Sequence, residues 1–146
     1  GLSKLISHSA DGFYYALIPL LMLLIGTTNA QLAFIALVTA FCIERPIYCV
    51  LKKSLKRNRP ADALPNFSSF ITPSDQFSFP SGHTSGAFLS ATIVATLVPM
   101  LFWPAYLWAC LVGASRILLG VHFPTDTLAG ALIGTTVATL TMEFLI

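Results

Sequence analysis

The chain has 146 residues, of which 55% are hydrophobic and 10% charged, with a formal net charge of +2. A mean hydropathy of +0.79 excludes an ordinary soluble domain and points to an integral membrane protein. Five of the eight Lys and Arg residues fall between Lys52 and Arg59; in a membrane setting such a run serves lipid headgroups or phosphate, not nucleic acid.

Residues 1–10 place Leu2, Leu5, Ile6 and Ser9 at helical spacing, as expected of an amphipathic lead-in helix along the surface. Lys4, His8 and Asp11 precede an apolar run with no small-residue cleavage site after it, so a cleavable signal peptide is not expected. Asp11-Gly12 punctuates the start of a first, short span over residues 13–28, whose Tyr14 and Tyr15 suit a membrane interface. A second helix is expected from about residue 31 to residue 56, long enough to project its basic end beyond the hydrocarbon. Glu44-Arg45-Pro46 falls in its middle, where charge is costly unless paired. The expectation there is a buried polar contact with a neighbouring helix, with substrate recognition as the alternative; Glu44 lies ~12 Å deeper than Lys52, below the reach of a phosphate.

Residues 61–79 are rich in Pro, Asn and Ser and read as a loop, with Phe67, Phe70, Ile71, Phe77 and Phe79 expected to dip into the interface. A connection this long usually has a function, and a lid over a site is the natural one. Ser81-Gly82 opens a third helix to about Val98, Pro104 starts a fourth to about Leu119, and Pro124 starts a fifth reaching Ile146. Gly130 and Gly134 give the last helix a small face suited to close packing. Cys42, Cys49 and Cys110 lie inside apolar runs and are expected as small buried residues. The fold class is therefore all-α, a polytopic transmembrane bundle of about five spans, in a single domain over residues 1–146. Alternating spans place the amino terminus, the 52–83 segment and the 115–126 segment on one face.

That shared face collects three polar segments: Lys52-x6-Arg59-Pro60, Pro80-Ser81-Gly82-His83, and Ser115-Arg116-x5-His122-x3-Asp126. A histidine nucleophile needs one free ring nitrogen and an acceptor for the other, which His122 and Asp126 can provide. The structural alternative makes Asp126 a helix-start carboxylate and His122 an interface residue. Ser81-Gly82 places unpaired backbone N–H groups at a helix start, suited to an anion, with His83 able to protonate a leaving oxygen; the alternative is an ordinary serine-capped helix. Lys52, Arg59 and Arg116 supply cations for phosphate oxygens without a metal, whereas Lys53, Lys56 and Arg57 are expected to contact headgroups or water.

These three segments, in order and spacing, resemble the type 2 phosphatidic acid phosphatase superfamily, the membrane relatives of vanadium haloperoxidases. The resemblance implies that His122 forms a phosphohistidine, Asp126 orients it, and His83 acts as acid and then as base toward water. It further implies that Lys52, Arg59 and Arg116, with Ser81 and the Gly82 N–H, bind the phosphate. No metal or other cofactor is expected, and the partners are a lipid phosphate and the surrounding membrane lipids. Many members have three helices before the first motif, whereas two are expected here. The implied activity is hydrolysis of a lipid phosphate or diphosphate of the phosphatidic acid, phosphatidylglycerophosphate, undecaprenyl or lipid A type, at the periplasmic face of a bacterial inner membrane. A lipid phosphotransferase, a vanadium-dependent peroxidase and a non-enzymatic binder of anionic lipid are the rival readings.

Overall fold

The structure, a computed structural model, describes all of residues 1–146 and is helical throughout, without a strand. In chain order the helices are α1 (Leu2–His8), α2 (Gly12–Tyr15), α3 (Leu17–Leu24), α4 (Ala30–Leu55), α5 (Pro60–Ala63), α6 (Gly82–Leu97), α7 (Phe102–Leu118) and α8 (Pro124–Leu145). By length and apolar content three segments can cross a membrane, namely α4, α8, and α7 with the 3₁₀ turn Pro99–Leu101 before it. The protein is an integral membrane protein, and the five expected spans resolve into these three, the short α6 and the broken α2–α3 segment.

The break has a local cause. Pro19 has no N–H to continue a helix begun at Gly12, but it is tolerated in the first turn of a new helix, so the chain restarts at Leu17. The run expected to continue to residue 28 ends at Leu24, because Gly26 adopts φ +78° and the Thr27 N–H closes on the Met22 carbonyl at 3.0 Å. Similarly, α7 begins at Phe102 and not at Pro104, which occupies its first turn.

Eleven of the sixteen residues of α6 are buried, since α4, α7 and α8 pack around it. One core cluster joins Ala33, Ala36, Leu37 and Ala40 of α4 to Leu89 and Ile93 of α6 and Val137, Ala138 and Met142 of α8. A second joins Ala87 and Ala91 of α6 to Ala109 and Val112 of α7 and to Ala10. Large apolar side chains such as Leu23, Phe34, Leu107, Leu132 and Phe144 point outward, an exposed apolar surface suited to lipid. Cys42, Cys49 and Cys110 also point outward, contrary to expectation. Where both faces of a helix are apolar, sequence does not say which one meets protein.

Gly130 and Gly134 bring α8 against the backbone of α6. A Cβ at Gly130 would stand 2.5 Å from the Ser81 carbonyl oxygen, and one at Gly134 would stand 2.1 Å from that of Ser85. Gly134→Ala should therefore push the helices apart and destabilise the protein by roughly 1–3 kcal/mol, read as a lowered thermal midpoint in detergent. Gly12→Ala, where an added Cβ meets nothing within 4 Å, should leave that midpoint nearly unchanged; equal effects at the two positions would contradict the close packing.

Candidate active site

The amino-terminal ends of α6 and α8 meet at the same end of the bundle, where the Ser81 N–H donates to the Asp126 carbonyl at 3.0 Å. Around this junction lies a cavity of about 420 Å³ walled by Lys52, Arg59, Gly82, His83, Arg116 and His122. Six of the eight residues singled out in the sequence thus line one cavity. Ser81 and Asp126 lie behind its wall, both fully buried. The Ser81 hydroxyl is taken up by Thr84, through its N–H at 3.4 Å and its hydroxyl at 2.8 Å, and caps α6.

The His122 ring is almost completely buried, and its two neighbours fix its tautomer. Nδ1 lies 2.8 Å from the Ser78 carbonyl, which can only accept, so Nδ1 carries the hydrogen. Nε2 lies 3.4 Å from Nη1 of Arg59, which can only donate, so Nε2 keeps its lone pair on the cavity side. The Asp126 carboxylate stands 3.7 Å from Nδ1, farther than Ser78, while it accepts from the Phe123 N–H at 2.7 Å and from Arg57 at 3.0 Å. Asp126 is thus a helix-start carboxylate and a negative neighbour of His122 at once. Arg57, expected in headgroups or water, instead closes this corner, stacking 4.3 Å from the Phe123 ring centroid and donating to Thr125 at 2.6 Å.

The cations are held by groups that the sequence did not reveal. Asp75, from the long loop, accepts from Lys52 at 3.0 Å, from the Tyr48 hydroxyl at 2.9 Å and from the Arg59 guanidinium. Ser74 and Asp75 both line the cavity, so the long loop contributes part of its wall. Burial alone would raise the Asp75 carboxyl, but hydrogen bonds and charge from Lys52, with help from Tyr48 and Arg59, outweigh it and hold the group below its ordinary value. Arg59 also donates to the Val121 carbonyl at 2.7 Å. Arg116 gives one Nη to the Ser7 hydroxyl at 2.7 Å, while its buried Nε has no acceptor in the protein, a donor suited to an anion. His83 places Nε2 2.8 Å from the Asp11 carboxylate, which also contacts His8. Asp11 and Ser7 come from the α1–α2 segment, so the lead-in turns its polar side to the site while Leu2 and Leu5 stay exposed.

Glu44 is fully buried, as expected, accepting from Arg45 at 2.5 and 2.7 Å and from the Ser85 hydroxyl of α6 at 2.6 Å. Arg45 departs from the expected depth: it stacks 4.4 Å from the Tyr48 ring centroid and reaches the cavity wall. Nowhere do three His, Cys, Asp or Glu side chains converge as metal ligands.

Burial pushes the His122 imidazole down to about 4, with Arg59 and Arg116 adding to the effect and Asp126 opposing it. The folded value lies below the ordinary one near 6.5, so between those limits the unfolded chain binds a proton that the folded chain refuses. Stability should therefore fall as pH drops through that window. Thermal midpoints in detergent should decline from about pH 6.5 toward 4, and His122→Gln should flatten the decline; an unchanged slope would mean that His122 is not a buried neutral imidazole.

The sequence profile of the PAP2 superfamily matches residues 30–145. The undecaprenyl-diphosphatase of Sulfolobus acidocaldarius is 32% identical over 142 residues, covering 92% of this chain and 66% of that protein. Two crystal structures are similar. Aquifex aeolicus LpxE superposes with a TM-score of 0.84 at 26% identity, covering 97% of this chain and 84% of that one. The transmembrane PAP2 type phosphatidylglycerolphosphate phosphatase of Bacillus subtilis gives 0.74 at 27% identity, covering 98% and 74%. The chain spans about half to two thirds of the length of its curated relatives. With the profile covering most of the chain and the helical bundle shared with solved members, this protein belongs to the PAP2 superfamily.

Proposed function

We propose that the chain is a membrane lipid phosphatase that hydrolyses a lipid phosphate or diphosphate through a phosphohistidine on His122. Its site would face the periplasmic or extracytoplasmic side of a bacterial inner membrane. The observation that carries this reading is the commitment of the His122 ring, with Nδ1–H on the Ser78 carbonyl and the Nε2 lone pair in a cavity walled by Lys52, Arg59 and Arg116. An anion-binding pocket alone has no use for a histidine fixed in its nucleophilic tautomer. The names of the similar proteins, an undecaprenyl-diphosphatase and a phosphatidylglycerolphosphate phosphatase, agree with the class of substrate.

In the first step Nε2 of His122 attacks phosphorus, and the bond from phosphorus to the lipid oxygen breaks. His83 delivers a proton to that oxygen. Its Nε2 is committed to Asp11, which leaves Nδ1 to face the substrate. In the second step His83, now neutral, takes a proton from water, the water oxygen bonds to phosphorus, and the N–P bond breaks to release inorganic phosphate. Lys52, Arg59 and Arg116, with the Gly82 N–H at the start of α6, hold the phosphoryl oxygens through both steps. Phosphate entering this cradle takes over donors that Asp75 otherwise holds. Ser81 contributes by shaping the turn, and Asp126 by fixing the start of α8 beneath His122.

His122→Ala should abolish phosphate release from lipid phosphates in mixed micelles while the helical circular dichroism is kept; full activity would remove the nucleophile assignment. Vanadate should inhibit the protein, and EDTA should not. His83→Ala should slow poor alkyl leaving groups by about 10²–10⁴ and activated aryl phosphates much less, and equal losses on both would argue against an acid.

A further inference from the structure

Asp11 lies outside residues 30–145, which carry the family profile, yet it lines the catalytic cavity. Its neighbours in the chain fix where it stands. Ala10 packs, almost fully buried, with Ala87 and Ala91 of α6 and Ala109 of α7. Ser9 accepts from the Trp108 indole at 2.9 Å and Ser7 from Arg116 at 2.7 Å, both donors on α7. The turn between α1 and α2 is thereby pinned to α6 and α7, and the Asp11 side chain starts from a set point beside His83.

Asp11 and His83 line the catalytic cavity together, and both also line a second cavity of about 360 Å³ on the side of Lys4 and His8. The charged and titratable groups sharing these walls with His83 include Lys4, His8, Arg45, Asp75, Arg116 and His122. Asp75, the other carboxylate among them, is taken by Lys52 and Arg59. Burial and the charge of Arg116, joined by that of Arg45, oppose a proton on His83, and the contact with Asp11 favours one.

We propose that Asp11 is the positioning residue of His83: its carboxylate holds the Nε2 hydrogen and so leaves Nδ1 to exchange a proton with substrate and water. The inference rests on the reading of the cavity as a phosphatase site. A carboxylate oxygen 2.8 Å away can only accept, so Nε2 keeps its hydrogen in both charge states of the ring. In the first step Nδ1–H gives its proton to the lipid oxygen, and in the second the Nδ1 lone pair, which the same tautomer secures, takes one from water. The second Asp11 oxygen meets His8, three residues earlier on an exposed face, and this contact helps to aim the carboxylate. The two histidines are sorted by their partners. His122 has a neutral carbonyl on Nδ1 at 2.8 Å, with Asp126 farther off at 3.7 Å, and stays an uncharged nucleophile; His83 has a carboxylate in contact and can carry the proton.

The test compares the unmodified protein with Asp11→Asn and with Glu143→Gln, which removes an exposed charge near the far end of α8. Asn also suits the residue before a helix, and Asp11 is partly exposed, so Asp11→Asn should keep the helical circular dichroism. On dodecyl phosphate Asp11→Asn should lower kcat about ten-fold or more and bring the alkaline limb of its pH profile down by about one pH unit. With para-nitrophenyl phosphate, whose leaving oxygen needs little protonation, the loss should be about three-fold or less. Glu143→Gln should alter neither ester's rate nor the limb. Equal losses on the two esters with an unmoved limb, or the same displacement in both variants, overturn the assignment. The chain has three histidines, so an NMR titration of their rings reads the pairing without turnover. The His83 midpoint should fall by about one pH unit in Asp11→Asn, and a midpoint that stays put overturns the pairing. Release of phosphate from neither ester by the unmodified protein would instead overturn the phosphatase reading.

Discussion

The close approach of α8 to α6 is the constraint on which the rest of the structure depends. In lipid, helices gain little from hiding apolar side chains from one another, because the surrounding chains are equally apolar. What holds them is backbone proximity, and Gly130 and Gly134 permit it by leaving room for the carbonyls of Ser81 and Ser85. The consequence is chemical. With the two helix starts side by side, His83 in the first turn of α6 and His122 just before the first turn of α8 line one cavity at the positive ends of both helix dipoles.

Gathering several cations at that point is opposed by their mutual repulsion, which a partly buried setting strengthens. The protein answers with local partners of its own: Asp75 for Lys52 and Arg59, Asp126 for Arg57, Glu44 for Arg45, and the neutral Ser7 hydroxyl for one edge of Arg116. These partners are not equivalent. Glu44 and Asp126 are completely buried, so losing their arginine would leave an uncompensated buried charge. Asp75 sits on a loop and retains some exposure, and its oxygens accept from the very donors that a phosphate would use. A carboxylate on a loop is the counterion suited to a site that, on the function proposed above, exchanges it for a phosphate.

The parts legible in the sequence were those set within one helix or turn. Lys52 with Arg59, Ser81 with His83, and His122 with Asp126 are close in the chain, and short-range geometry suffices to aim them at one end of the bundle. The unread parts came from far along the chain. Asp11 meets His83 across 72 positions, and the Ser78 carbonyl meets His122 across 44. A backbone carbonyl leaves no trace in residue identity, which is why the sequence named Asp126 and not Ser78 as the group beside Nδ1. The cysteines show the opposite limit, since an apolar pattern identifies a span without saying which face meets lipid. Pro19 did carry a signal for the break before α3, because a proline seven residues past the helix start fits better in a new first turn.

The shortness of α6 bears on how an amphiphile is handled. Sixteen residues rise about 24 Å, less than a hydrocarbon core of ~30 Å, so this helix does not present both ends at the membrane surfaces. Protein covers the shortfall, with Ser74 and Asp75 of the long loop at the cavity beside its start and α4, α7 and α8 around it. The site at its start is therefore a recess in the protein and not a flat surface in the headgroup plane. On the function proposed above, a lipid phosphate would enter the recess, where paired cations replace water, while the chain attached to it remains in the bilayer.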